Sequence, residues 1–129
     1  MTSILEPQLR EVLDGTPIAH VATLLPDGAP HSVPVWVGTH EGKVVIMTGP
    51  ESQKARNLRH DPRVALSLTP PDRPFEPVVL RGRVVTWLDG TEGWRVVDAM
   101  AQKYIGGPYG RDQERVVGVI EIEHQKRGM

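Results

Sequence analysis

Thr48-Gly49-Pro50-Glu51-Ser52-Gln53-Lys54-Ala55-Arg56-Asn57-Leu58-Arg59 is where the chain changes period. Upstream, short β-rich runs alternate with turns; at Gly49-Pro50 the alternation stops and a helical repeat begins. Thr48 ends a strand that starts at Lys43. Either Thr48 or Ser52 can cap the helix that follows, Gln53 to His60, and Thr48 with Glu51 has capping-box spacing. Ala55 and Leu58 face inward, and Asp61-Pro62 stops the helix. The first-turn N–H groups of such a helix have no intrahelical partner and carry partial positive charge, which suits a phosphate. Lys54 and Arg56 add full charges there, and Ser52 a donor. Ser52 to Arg63 carries a net +3, four cations against Asp61, in a chain of net charge -1. A solvated basic helix face has the same pattern, and spacing alone leaves both readings open.

Working outward, the flanking segments are mostly strands. Ile18 to Leu25 ends at a Pro26-Asp27-Gly28 turn. His31 to Thr39 returns, with His31, Val33, Val35 and Val37 on one face. Pro34 cannot donate to a ladder, so this strand is an edge, is bulged, or meets something other than its neighbour. Glu41-Gly42 turns the chain into Lys43 to Thr48, and these three strands read as a meander. Downstream lie a strand from Arg63 to Thr69, a proline-rich loop from Pro70 to Pro77 and a long strand from Val78 to Leu88. Gly82 marks a bend or bulge in that strand. Thr91 to Ile105 reads as a helix with a Trp94, Val97, Ala101, Ile105 stripe. A loop from Gly106 to Gly110, a last strand from Arg115 to Glu123 and a polar tail from Gln125 to Met129 complete the chain. At the other end, Ser3 to Leu13 reads as a helix. Ser3 and Glu6 have capping-box spacing, Leu5, Leu9, Val12 and Leu13 form its stripe, and Pro7 suits the first turn of a later start. The sum is a mainly β chain: about six strands in a small closed or split antiparallel barrel with three appended helices.

Composition narrows the function. The 129 residues suit one domain over 1–129. There is no cysteine, which excludes a disulfide framework, a thiolate metal site and a cysteine nucleophile, and suits a cytoplasmic protein. The net charge argues against nucleic acid as a partner. No apolar run reaches the ~18 residues of a membrane span. His20, His31, His40, His60 and His124 show no ligand spacing, so no metal is expected. No serine lies in a nucleophile elbow, and no glycine fingerprint follows the first strand. Trp94, Met100 and Tyr104 have core spacing. In His31-Ser32-Val33-Pro34-Val35-Trp36 the missing ladder donor beside a flat side chain leaves a backbone edge that a planar ligand can use; a bulged edge with Trp36 in a core or subunit interface fits the same residues.

The order of these features resembles the pyridoxamine 5'-phosphate oxidase-like family. It comprises the Pro-Asp-Gly turn, a strand with Pro34-Val35-Trp36, a strand ending in Thr48, then Ser52-x-Lys54-Ala55-Arg56-Asn57-Leu58-Arg59-x-Asp61-Pro62-Arg63-Val64. The likeness runs from about Ile18 to Val85 and is most specific from Ser52 to Val64. It implies a six-stranded flavin-binding split barrel and a homodimer with cofactors in two grooves at the interface. The neutral, apolar Val33-Pro34-Val35-Trp36 is similar to the branch that uses the deazaflavin coenzyme F420, rather than to the branch with a basic residue there for flavin mononucleotide (FMN). Carried over, Lys54 would contact the cofactor phosphate with Ser52 and Arg56 beside it and Asn57 nearby. Thr48 and the backbone of Ser32, Val33, Pro34, Val35 and Trp36 would lie near the rings. Some deazaflavin binders carry arginine where Ser52 stands. The resemblance implies F420-dependent hydride transfer to an unsaturated small molecule. The alternatives are an FMN enzyme of the same fold or a non-catalytic binder of a phosphorylated cofactor. No proton donor stands out in the sequence: solvent is one source, and Tyr109 and His31 are the candidate residues.

Overall fold

The computed structural model describes residues 4–128. The chain order is α1 (Pro7–Asp14), β1 (Ala19–Leu24), β2 (Pro30–Val35), β3 (Gly38–His40), β4 (Lys43–Thr48), α2 (Gln53–His60), β5 (Arg63–Leu68), β6 (Val78–Leu88), α3 (Gly90–Ile105) and β7 (Val116–Arg127). The strands form one antiparallel sheet in the order β2-β1-β5-β6-β7-β4-β3. Its two edges, β2 and β3, are consecutive in the chain and separated only by Trp36 and Val37. Three residue steps reach at most ~11 Å. The sheet therefore has to curl until its edges nearly meet, and the result is a split barrel.

This geometry corrects both the expected three-strand meander and the expected count of six strands. The segment His31 to Thr39 is two strands, giving seven in all. Its first half pairs with β1, with Pro34 opposite His20; its second half pairs with β4 at the far edge. Pro34 is accommodated because β2 is an edge, in unbroken register. Glu41 and Gly42 then turn the chain tightly from β3 into β4 with φ of 51° and 79°, a left-handed pair that a two-residue hairpin needs. At the other end, β7 runs to Arg127, because β6 is long enough to pair Val78 with it. Most of the expected polar tail is thus ladder; Met129 lies outside the described residues.

The first helix begins at Pro7 with Glu6 at its N-cap and no side-chain cap; Ser3, expected to cap it, lies outside the described residues. Leu9, Val12 and Leu13 bury its inner face in the barrel, where they meet Val21, Val37, Ile46, Leu66, Leu80 and Ile120. A second, smaller core lies on the other side of the sheet, where Val96, Val97 and Met100 of α3 pack on Val45, Val117 and Val119. The buried face of α3 is rotated from the expected stripe: Ile105 is exposed and Trp94 only half-buried.

Curl is concentrated in the β6–β7 pair, whose register shifts at Arg81/Gly82 and at Val84/Thr86. A Cβ on Gly82 would lie 1.9 Å from the Glu121 carbonyl oxygen, so the expected bulge residue marks a close backbone approach. At the seam, the Tyr104 hydroxyl of α3 accepts from Val37 N–H at 3.2 Å and donates to Pro17 O at 2.5 Å.

Two outcomes follow for stability. Gly82→Ala forces two backbones apart and lowers the unfolding free energy by about 3 kcal/mol, read from the urea midpoint. Tyr104→Phe leaves the Val37 N–H without its partner and costs about 1–3 kcal/mol by the same measurement.

Candidate functional site

The seam opens onto a groove of about 330 Å³. The end of β2 and the strand break give it Pro34, Val35 and Trp36. The end of β4 and the turn after it give Met47, Thr48 and Gly49, and α2 gives Lys54. Tyr109 and Arg115, from the segment between α3 and β7, close the other side. Trp36 projects here because it belongs to neither edge strand. Its ring stacks on Tyr104 (4.9 Å between centroids, 2° between planes) and meets Tyr109 edge-on at 5.8 Å. One wall is thus flat and aromatic, and β2, as an edge, leaves alternate backbone groups without ladder partners.

The opposite end is cationic. Lys54 is half-buried in the first turn of a helix whose N-cap is Ser52. Burial first, and the neighbouring Arg115 guanidinium second, hold the Lys54 ammonium below the usual lysine range. Arg115 donates to Glu114 O at 2.8 Å, Gln113 Oε1 at 3.2 Å and Tyr109 Oη at 3.3 Å. All three acceptors are neutral. Among the described residues neither Lys54 nor Arg115 forms an ion pair, whereas Arg10, Arg63, Arg73, Arg83 and Arg111 each do. Two partly buried cations facing one space without an acid make it a place for an anion.

Five of the ten residues expected at a cofactor line this groove: Pro34, Val35, Trp36, Thr48 and Lys54. Ser32 and Val33 lie farther along β2, paired with Ala22 and Val21. Ser52 is the helix cap: its Oγ accepts from Ala55 N–H at 3.1 Å and shares a 2.6 Å hydrogen bond with Thr48 Oγ1. Asn57 is buried, accepting from Gln53 and donating to Thr23 Oγ1 at 3.0 Å, so it fastens α2 to β1. Arg56 is exposed and donates to Gln53. Of the two candidate proton donors, Tyr109 lines the groove and His31 does not; the buried His31 Nδ1 has no hydrogen-bond partner. Arg115 escaped the sequence reading because it lies some sixty residues from Lys54 in an unpatterned stretch.

A larger cleft of about 690 Å³ runs between β3 and α3. Its charges are already mixed, with Asp14, Glu41 and Glu92 beside Arg95 and Lys103, which disfavours an anionic ligand. Lys103 is moreover engaged with Leu13 O at 2.6 Å, and burial pushes its pKa down to about 8. Among the described residues no group of three or more His, Cys, Asp or Glu side chains could hold a metal ion, and no helix is long and apolar enough to cross a membrane.

A curled antiparallel sheet with three helices and a groove at its seam is the split barrel of flavin-binding proteins. The chain belongs to the pyridoxamine 5'-phosphate oxidase family, whose model matches residues 5–126. The fold is shared with an F420 reductase that is 24% identical, with 95% of this chain and 98% of that one covered and a TM-score of 0.80. A conserved hypothetical protein from Mycobacterium tuberculosis is 26% identical, with 98% and 86% covered and a TM-score of 0.80. An FAD and heme binding protein from Mycobacterium smegmatis is 20% identical, with 99% and 72% covered and a TM-score of 0.74. No curated protein matches the chain.

The electrostatics give a direct test. Lys54 titrates below an ordinary lysine in side-chain NMR, and Arg115→Gln raises its pKa by removing the repelling charge while burial remains. The sign for binding follows: raising the pH through the lowered Lys54 pKa removes a cation, so anion affinity falls earlier than an ordinary lysine would allow.

Proposed function

We propose that this chain is an oxidoreductase that binds coenzyme F420 in the seam groove and reduces an unsaturated small molecule, working as a homodimer. The observation that carries this reading is the pairing, in one groove, of the Trp36 wall with the acid-free cations Lys54 and Arg115. The donor set fits the group: a flat ring system against Trp36 and the β2 edge, and an anionic tail at the cations. Pro34, Val35 and Trp36 offer no charge to the rings, which supports a deazaflavin over FMN. Where some deazaflavin binders carry arginine, Ser52 caps the helix, and Arg115 supplies positive charge from another element.

When bound, the cofactor supplies the hydride. The protein's own residues position and screen. Lys54 would hold the tail, Trp36, fixed by its stack on Tyr104, would offer the rings a flat wall, and Met47 and Tyr109 would help to keep water from them. Tyr109 is the groove-lining hydroxyl that would deliver a proton, and its oxygen accepts a hydrogen bond from Arg115 at 3.3 Å. The outer face of β6 leaves Val79 and Val85 41% and 44% exposed, apolar surface that a second copy would cover.

Titration of the purified chain with F420 and with FMN, followed by fluorescence, tests the reading. Micromolar binding of F420 is expected, tighter than FMN. Lys54→Ala weakens it by ~1–3 kcal/mol, the range for a lost charge-assisted hydrogen bond, and leaves the melting temperature nearly unchanged. Binding of neither cofactor, or a clean monomer by light scattering, removes the corresponding half of the proposal.

A further inference from the structure

The segment 106–115 between α3 and β7 is fastened to α3 through the Asp98 carboxylate. Asp98 Oδ1 accepts from Tyr109 N–H at 3.1 Å and from Arg111 Nη1 at 3.0 Å, and Oδ2 accepts from Arg111 Nη2 at 2.7 Å. Arg111 also lies 3.8 Å from the Trp94 ring centroid and donates to Tyr109 O at 2.7 Å. A loop of glycines and polar residues is thereby given a fixed path. The path ends with Arg115 against the Tyr109 ring, 5.5 Å from its centroid, and with Nη1 3.5 Å from where a Cβ on Gly49 would stand. The guanidinium has donors left over and no acid to neutralise it. It faces the same space as Lys54.

We propose that Arg115 is an anion-binding residue of this groove, forming with Lys54 a two-cation clamp for a phosphate-type group. The inference rests on the reading that an anionic tail lies at these cations, and it deepens that reading by making Arg115 a direct ligand of the anion and the charge of that anion at least two. Two cations held apart by separate elements favour a ligand with two charges over one. A planar guanidinium, with its forked donors, also fixes the orientation of a phosphate in a way an ammonium cannot.

Inorganic pyrophosphate, titrated into the full chain and followed by NMR at the Arg115 Nε–Hε signal and the Lys54 side chain, tests the clamp without any flavin. Both signals should move saturably with one dissociation constant. Arg115→Gln should weaken pyrophosphate at least tenfold, Arg115→Lys should recover part of the loss, and the backbone amide spectrum should show both variants folded. An Arg115 signal that stays still, or pyrophosphate affinity in Arg115→Gln within twofold of the unsubstituted chain, overturns the clamp. Absence of pyrophosphate binding overturns it as well. Pyrophosphate seated on both cations in a protein that takes up neither F420 nor FMN would sustain the clamp and end the cofactor reading.

Discussion

Val35 and Gly38 belong to opposite edges of one sheet, and only Trp36 and Val37 join them. Covalent continuity therefore dictates the shape: strands that never pair with each other are held within ~11 Å at their joint, and the sheet between them must curl. The bulges in β6–β7 absorb that curvature where a glycine lets two backbones nearly touch. The same constraint expels Trp36 from the ladder. Tyr104 then binds the break from α3, its hydroxyl on the backbone of Val37 and Pro17 and its ring on Trp36. Seam, aromatic wall and helix are one mechanical unit.

The distribution of charge separates the groove from the rest of a nearly neutral surface. The basic run Ser52 to Arg63 does not act as one patch. Arg63 is spent on Asp61, Arg59 lies over the Trp87 ring 5.7 Å from its centroid, and Arg56 is engaged with Gln53. Lys54 alone of the four lines the groove. The solvated basic face and the proposed anion site thus lie on different sides of α2.

Much of the fold was legible because the relevant signals are local. Gln53 to His60 and Val78 to Leu88 have the bounds read from capping, proline stops and alternation. The break at Trp36–Val37 was not legible: both halves alternate properly, and only pairing with partners far along the chain shows that they serve different edges. The extent of β7 was hidden for the same reason, since polar Gln125 to Arg127 are ordered by β6 rather than by their own propensity. In the groove, Lys54 and Trp36 carried recognisable patterns. Arg115 carried none, because its position depends on Asp98 and Arg111 fastening a loop whose sequence does not announce a path.

The last strand sits between β6 and β4 rather than at an edge. During synthesis both of those strands leave the ribosome with an open ladder on the side that β7 will fill. A nascent chain can close the β1–β2 hairpin early, yet neither the barrel nor the platform for α3 can be completed until residues beyond 116 are free of the exit tunnel. Until then the unpaired rims are available to other chains. This topology makes the twelve-residue β7 the piece that closes two rims at once.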